Sequence, residues 1–172
     1  LCNDNQNKII KFLEQKGEVD QITTKISNKD ISKYDWIISY GYNYIISKKI
    51  LNEVKNPVIN LHISYLPYNR GSYPNYWSFK ENTPNGVSIH HIDDGIDTGP
   101  VLVQKKITFN NNETLKTSYE KLKIEVEKLF IESFDDIMSN KIEPKKQLKK
   151  GTFHQDKDLP KDIDWNISVN KI

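Results

Sequence analysis

Residues 36–63 read WIISYGYNYIISKKILNEVKNPVINLHI. Two short runs rich in β-branched and aromatic residues, WIISY and PVINLHI, flank the helix-like ISKKILNEV. Strand, helix and strand in that order mark a parallel βαβ unit. The fold class is therefore predicted as α/β, a Rossmann-like, mostly parallel sheet flanked by helices. Working back towards the start, VDQIT reads as a further strand. NDNQNKIIKFLEQKG reads as a short helix, with Asn3 or Asn5 as its cap and Gly17 as its stop. The sequence begins at Leu1 without a methionine, so a first strand clipped at its start is expected.

Working forward, PNYWSFKEN has Pro74 placed to open a helix, and GVSIHHI and VLVQKKI read as two strands around the turn-rich DDGIDTGP. Leu115, Tyr119, Leu122, Val126, Leu129 and Ile137, with Phe130 and Phe134, recur at spacings of three and four. That period predicts a long C-terminal amphipathic helix over about residues 113–139, its apolar stripe facing the sheet. A coiled-coil partner is the weaker alternative, because the pattern lasts barely three heptads. Residues 144–172 are lysine-rich and aperiodic, and are expected to form an appendage or docking tail.

The 172 residues suffice for one domain with a real core. Lys+Arg 25 against Asp+Glu 23 is too balanced to suggest nucleic acid or an anionic membrane as partner. Cys2 is the single cysteine, which excludes an internal disulfide and a thiolate zinc cluster. No window approaches the apolar length of a membrane span, and no signal-peptide order opens the chain. A soluble, cytoplasmic protein is expected.

Two stretches could carry chemistry. In a strand alternate side chains share a face, so Asn60 and His62 point the same way at the carboxyl end of PVINLH. Ligand crevices of open α/β sheets lie at that end. The second stretch, HHIDDGIDTGP, crowds Asp93, Asp94 and Asp97 between Gly95 and Gly99. Its spacing misses the calcium-loop order. His90 and His91, as strand neighbours, face opposite sides and make a poor metal pair. Turn-capping by one or two of the aspartates competes with a site.

NLHISYLPYNRG, then PNYWSF, then GVSIHHIDDGIDTGPVLVQ resemble the folate-dependent formyltransferases, most closely the sugar N-formyltransferases. The resemblance implies a formyltransferase catalytic domain over 1–143, with 144–172 appended. It carries the family's catalytic residues onto Asn60, His62 and Asp97. Its folate contacts fall on Tyr44, Ile45 and Ile46 and on the loop of Asp93, Asp94 and Gly95. The implied co-substrate is 10-formyltetrahydrofolate, with no metal. Acceptor contacts would lie at Ser64, Arg70, Gly71, Pro74, Asn75 and Trp77.

Transfer of a formyl group to an amine passes through a tetrahedral oxyanion. Asn60 and His62 are expected to donate to it, with Asp97 favouring a charged His62 and carrying a proton. Arg70, the lone arginine of a lysine-biased chain, offers a planar fork suited to phosphate, against an equally weighted role in tying loop carbonyls. Trp77 is as well suited to the core as to a ligand platform. The expected acceptor is a small molecule, a nucleotide-linked amino deoxysugar such as a dTDP-amino sugar. Too few residues follow Pro144 for the basic domain of a methionyl-tRNA formyltransferase. Phosphoribosylglycinamide formyltransferase, a formyltetrahydrofolate hydrolase and a non-catalytic binding module stay open as alternatives. So does a homodimer.

Overall fold

In the computed structural model, which describes residues 1–2 and 7–172, two strands match the opening stretch: β1 (Ile38–Tyr40) and β2 (Ile59–His62). They pair in parallel, Ile38 opposite Ile59, and α2 (Lys48–Leu51) lies between them, its first turn capped by the Ser47 side chain. The βαβ reading holds. The main sheet continues with β4 (Gly86–His91) and β5 (Val101–Lys106), in the order β1-β2-β4-β5.

The expected predominance of parallel pairing is corrected, because β2–β4 and β4–β5 are antiparallel. The short loop carrying Asp93, Asp94 and Asp97 can only return the chain as a hairpin, whereas a parallel neighbour needs a long crossover. Among the described residues VDQIT forms no strand. One backbone hydrogen bond ties it to the start of the chain, Cys2 N–H donating to Ile22 C=O at 3.2 Å. At the open edge of β1, Leu1 accepts from Tyr40 N–H at 2.9 Å. The helix predicted near the start is α1 (Asn7–Glu14); its proposed caps, Asn3 and Asn5, lie outside the described residues.

The long helix is α4 (Leu115–Met138), opened by a reciprocal capping box between Thr114 and Thr117. Leu122, Val126, Phe130, Phe134 and Ile137 form its buried stripe, packed on Ile59, Leu61, Val87 and Ile89 of the sheet. Phe12 of α1 closes this layer edge-on against Phe134, with ring centroids 5.1 Å apart. On the other face Val58 and Ile37 join Ile26, Ile31, Ile46 and Ile50 in a second cluster. Ile59 and Leu61 thus spend their side chains on the α4 layer. Strand parity turns Asn60 and His62 the other way.

Residues 145–172 run back along this body. Lys145 exchanges two backbone hydrogen bonds with Val101, each 2.8 Å. The short strand β3 (Arg70–Gly71) pairs in parallel with β6 (Phe153–His154). Further on, the carbonyls of Ile167 and Trp165 accept from the backbone N–H groups of Leu115 and Lys116. Those are amides that a helix start cannot satisfy internally. Between β3 and β4, α3 (Pro74–Lys80) begins at the predicted proline and abuts α4 through Asn75. No helix among the described residues is long and apolar enough to cross a membrane.

Candidate active site

Asn60 and His62 end β2, and the antiparallel register sets His90 of β4 directly beside Asn60. The β4–β5 loop then folds Asp97 back over all three. The Asn60 amide donates to Asp97 Oδ1 at 3.3 Å and lies 3.1 Å from His90 Nε2. Asp97 Oδ1 is 3.4 Å from His90 Nε2, and its Oδ2 is 3.7 Å from His62 Nε2. Gly71 N–H donates to Asp97 Oδ2 at 2.9 Å. The three residues nominated as catalytic therefore meet, and His90 joins them.

Two details fix how the loop reaches that position. Asp97 has a left-handed backbone, φ 52°, which short polar side chains tolerate better than most. Its carbonyl accepts from Gln147 Nε2 at 2.9 Å, and the same amide group donates to Gly99 O at 2.7 Å. Gly71, at φ 85°, must be glycine: a Cβ there would lie 2.2 Å from the His154 carbonyl oxygen.

Carbonyls only accept, so hydrogen positions follow from two contacts. His62 Nε2 lies 3.3 Å from Asn69 O and carries a proton there; His90 Nδ1 lies 2.8 Å from His91 O and carries one too. With Nδ1 protonated, His90 Nε2 accepts from Asn60. Burial lowers the His62 pKa below its ordinary value and outweighs the attraction of Asp97 that would raise it. The expected charged imidazole is corrected on this point: a ring this deeply desolvated stays neutral at pH 7, a carboxylate nearby notwithstanding.

Asp97 is held well below the usual carboxylate range. Burial pushes it up, and is overcome by the charge of His62, the hydrogen bond and charge of His90, and the Gly71 N–H. The His62 and His90 charges that hold Asp97 down belong to the protonated forms of the two rings. At neutral pH the centre holds an ionised carboxylate beside a neutral, Nε2-protonated His62.

The other nominated residues separate. Asp93 closes its own turn, accepting from Gly95 N–H and the Thr98 hydroxyl, and Asp94 pairs with Lys48 at the surface. Ile46 is buried in the second core cluster, while Tyr44 and Ile45 are exposed, Ile45 by 77%. Residues 41–46, with Ile92, Asp93, Gly95 and Ile96 but not Asp94, line a cavity of about 1140 Å³ whose wall also carries Asn60, His62, His90 and Asp97. Gly71, Pro74 and Asn75 line it as well. Asn75 is fixed by bonds to Leu115 O and Ser118 Oγ.

Ser64, Arg70 and Trp77 stand off the cavity. Ser64 Oγ donates to Tyr68 O inside the turn after β2. Trp77 stacks on His154, with ring centroids 3.9 Å apart and planes 7° apart. Arg70 directs Nε and Nη2 at Gln147 Oε1, at 3.1 and 2.7 Å. Gln147 in turn grips the Asp97 and Gly99 carbonyls, so the guanidinium ties that loop to the tail.

Sequence reasoning passed over His90, dismissed as a metal ligand although its parity matches Asn60. It also passed over the wall supplied by Tyr73, Lys116, Lys123, Asp156 and Trp165. The α4 pair at positions 116 and 123 had a signal, two turns on one helix face. The tail residues had none.

A family model described as formyl transferase matches residues 5–134 of this chain. The chain belongs to the formyl transferase family. A methionyl-tRNA formyltransferase of Thermodesulfovibrio yellowstonii is 38% identical over 142 residues, 80% of this chain and 46% of that protein. The chain thus spans about half the length of the curated relatives it matches. Among solved structures, the formyltransferase PseJ of Anoxybacillus kamchatkensis, in complex with UDP-4,6-dideoxy-4-formamido-L-AltNAc and tetrahydrofolate, is 43% identical with a TM-score of 0.91. That match covers 99% of this chain and 94% of PseJ. A 4-N formyltransferase of Francisella tularensis is 31% identical with a TM-score of 0.70, over 77% of this chain and 56% of that one. The chain's mixed α/β architecture, with its sheet flanked by helices and its long α4, is consistent with the formyltransferase fold.

Proposed function

We propose that this formyltransferase moves the formyl group of 10-formyltetrahydrofolate onto the amine of a nucleotide-linked amino deoxysugar. The observation that carries the reading is the meeting of Asn60, His62 and Asp97 on the wall of one cavity large enough for two substrates. The likeness to PseJ along nearly the whole chain supports the acceptor class, and its UDP sugar makes UDP a nucleotide to test beside dTDP.

In this reaction the acceptor nitrogen bonds to the formyl carbon, the bond from that carbon to the folate nitrogen breaks, and one proton passes from the acceptor to the folate. His62 is set up as the base. Its Nε2–H is committed to Asn69 O, which leaves Nδ1, a lone pair with no hydrogen-bond partner among the described residues, to take the proton. Asp97, ionised 3.7 Å away, stabilises the imidazolium that forms. Asn60 supplies the oxyanion donor. Of its two amide contacts the longer, 3.3 Å to Asp97, is the one to exchange for the developing oxygen. Losing such a donor costs about 3 kcal/mol of barrier.

Incubation with 10-formyltetrahydrofolate and a panel of UDP- and dTDP-linked amino sugars, followed by mass spectrometry for a formamido product, tests the reading. Asn60→Ala, His62→Ala and Asp97→Asn should each slow product formation by about a hundredfold or more while the protein stays folded by circular dichroism. Product formation at the wild-type rate in all three rejects the assignment. Methionyl-tRNA, the substrate named in the curated relatives, belongs in the panel. Its formylation in place of every sugar would replace the acceptor proposed here.

A further inference from the structure

Tyr73 and Trp165 form a stacked pair on the cavity wall, with ring centroids 6.0 Å apart and planes 30° apart, each still 39% exposed. A hydrophobic pair in a core would be covered; this one presents aromatic surface to the cavity. Beside it, Lys116 and Lys123 line the same cavity from one face of α4. Seven residues of helix separate them by about 10 Å, a span that brackets a diphosphate. The groups are locked together through backbone, because Lys116 N–H donates to Trp165 O at 2.9 Å. Asp156 completes the patch from the tail, and its hydrogen bond holds the Tyr73 hydroxyl above its ordinary pKa.

An exposed aromatic platform, two cations and one carboxylate acceptor on a single wall match a flat heterocyclic base that bears N–H donors and a diphosphate. Stacking suits the base face, ammonium groups suit the phosphates, and a carboxylate suits a ring N–H or a ribose hydroxyl. We infer that the Tyr73–Trp165 stack, Lys116, Lys123 and Asp156 form the nucleoside diphosphate subsite of the acceptor, with the C-terminal tail supplying its base-recognition half.

The inference deepens the proposed function and rests on it for the reaction, though the subsite itself concerns binding alone. Trp165 and Asp156 lie beyond residues 5–134, the part matched by the family model, so acceptor choice would reside in a segment outside that match. Nucleotide recognition would then be separable from the Asn60, His62 and Asp97 centre.

Calorimetric titration of the full chain with UDP, dTDP and tetrahydrofolate tests this. UDP or dTDP should bind the wild type. Trp165→Ala should weaken that binding by about tenfold to a hundredfold, the range expected for a lost base–aromatic stack, and Trp165→Phe should retain most of it. The double variant Lys116→Gln, Lys123→Gln should weaken binding and flatten its salt dependence. Tetrahydrofolate should bind all of them alike, which also shows that they fold. Unchanged nucleotide affinity in both Trp165→Ala and the double lysine variant overturns the inference. So does failure of both nucleotides to bind the wild type at about 1 mM. The two readings can fail separately: sugar formylation with unaltered UDP binding in the variants sinks the subsite alone, whereas Trp165-dependent UDP binding without formylation of any sugar sinks the reaction alone.

Discussion

Replacing Gln147 by alanine should loosen the active-site loop from a distance. The side chain makes four contacts: it accepts from Arg70 Nε and Nη2 at 3.1 and 2.7 Å and donates to the Asp97 and Gly99 carbonyls at 2.9 and 2.7 Å. A neutral hydrogen bond nets about 1 kcal/mol and one to a charged group roughly 1.5 to 3 kcal/mol. Two bonds of each kind sum to about 5 to 8 kcal/mol, and because Gln147 and Arg70 are only half-buried, water replaces most of it, leaving roughly 2 kcal/mol. For a domain of this size that lowers Tm by about 4 to 8 °C. Differential scanning calorimetry reads the melting shift, and kcat for formyl transfer reads the loop. Gln147→Glu separates the two effects. A carboxylate still pairs with Arg70 but cannot donate to either carbonyl, so melting should be largely kept while kcat falls. A Gln147→Ala protein melting within about 1 °C of wild type with full kcat would refute the reasoning.

The lowered His62 and Asp97 ionisations act in one direction on stability. For both groups the unfolded chain binds more protons than the native site between the two pKa values, so stability rises with pH. The His62 contribution is complete above about pH 6.5 and is lost as pH falls towards the native value, and that of Asp97 follows below about pH 3.9. Urea midpoints at pH 7.5 and 5.5 should therefore drop in wild type and drop less in His62→Gln. Gly71→Ala, with φ 85° and a carbonyl oxygen 2.2 Å from the new Cβ, should disrupt the β3–β6 pairing and the N–H that holds Asp97. A loss of at least tenfold in kcat with unchanged tetrahydrofolate binding is expected. Phe130→Ala empties a fully buried site between Phe12 and Phe134 and should cost about 3 to 5 kcal/mol by urea denaturation.

What the sequence disclosed depended on periodicity. Period two placed Asn60 and His62 on one face of β2, and periods of three and four drew α4 to within two residues of its observed ends. The same parity would have paired His90 with Asn60, had the loop between β4 and β5 been read as a hairpin. The spacing of HIDDGIDTGP marked a special turn, but the choice of Asp97 over Asp93 and Asp94 came from family resemblance. In the fold it rests on a positive φ and on a carbonyl gripped fifty positions downstream. Arg70 illustrates the limit most plainly. Its rarity was visible, yet its partner Gln147 sits in an aperiodic segment where no local pattern announces a tertiary contact.

The β4–β5 hairpin also bears on how the polar centre comes into being as the chain folds. His90 and Asp97 belong to one local turn, so they approach each other whenever that ribbon zips, at small loop-closure cost. Asn60 reaches them across 30 positions of sequence and only when β2 docks. An imidazole–carboxylate pair should accordingly be detectable in early refolding species that do not yet turn over substrate, with competence arriving as the strand carrying Asn60 and His62 slots in.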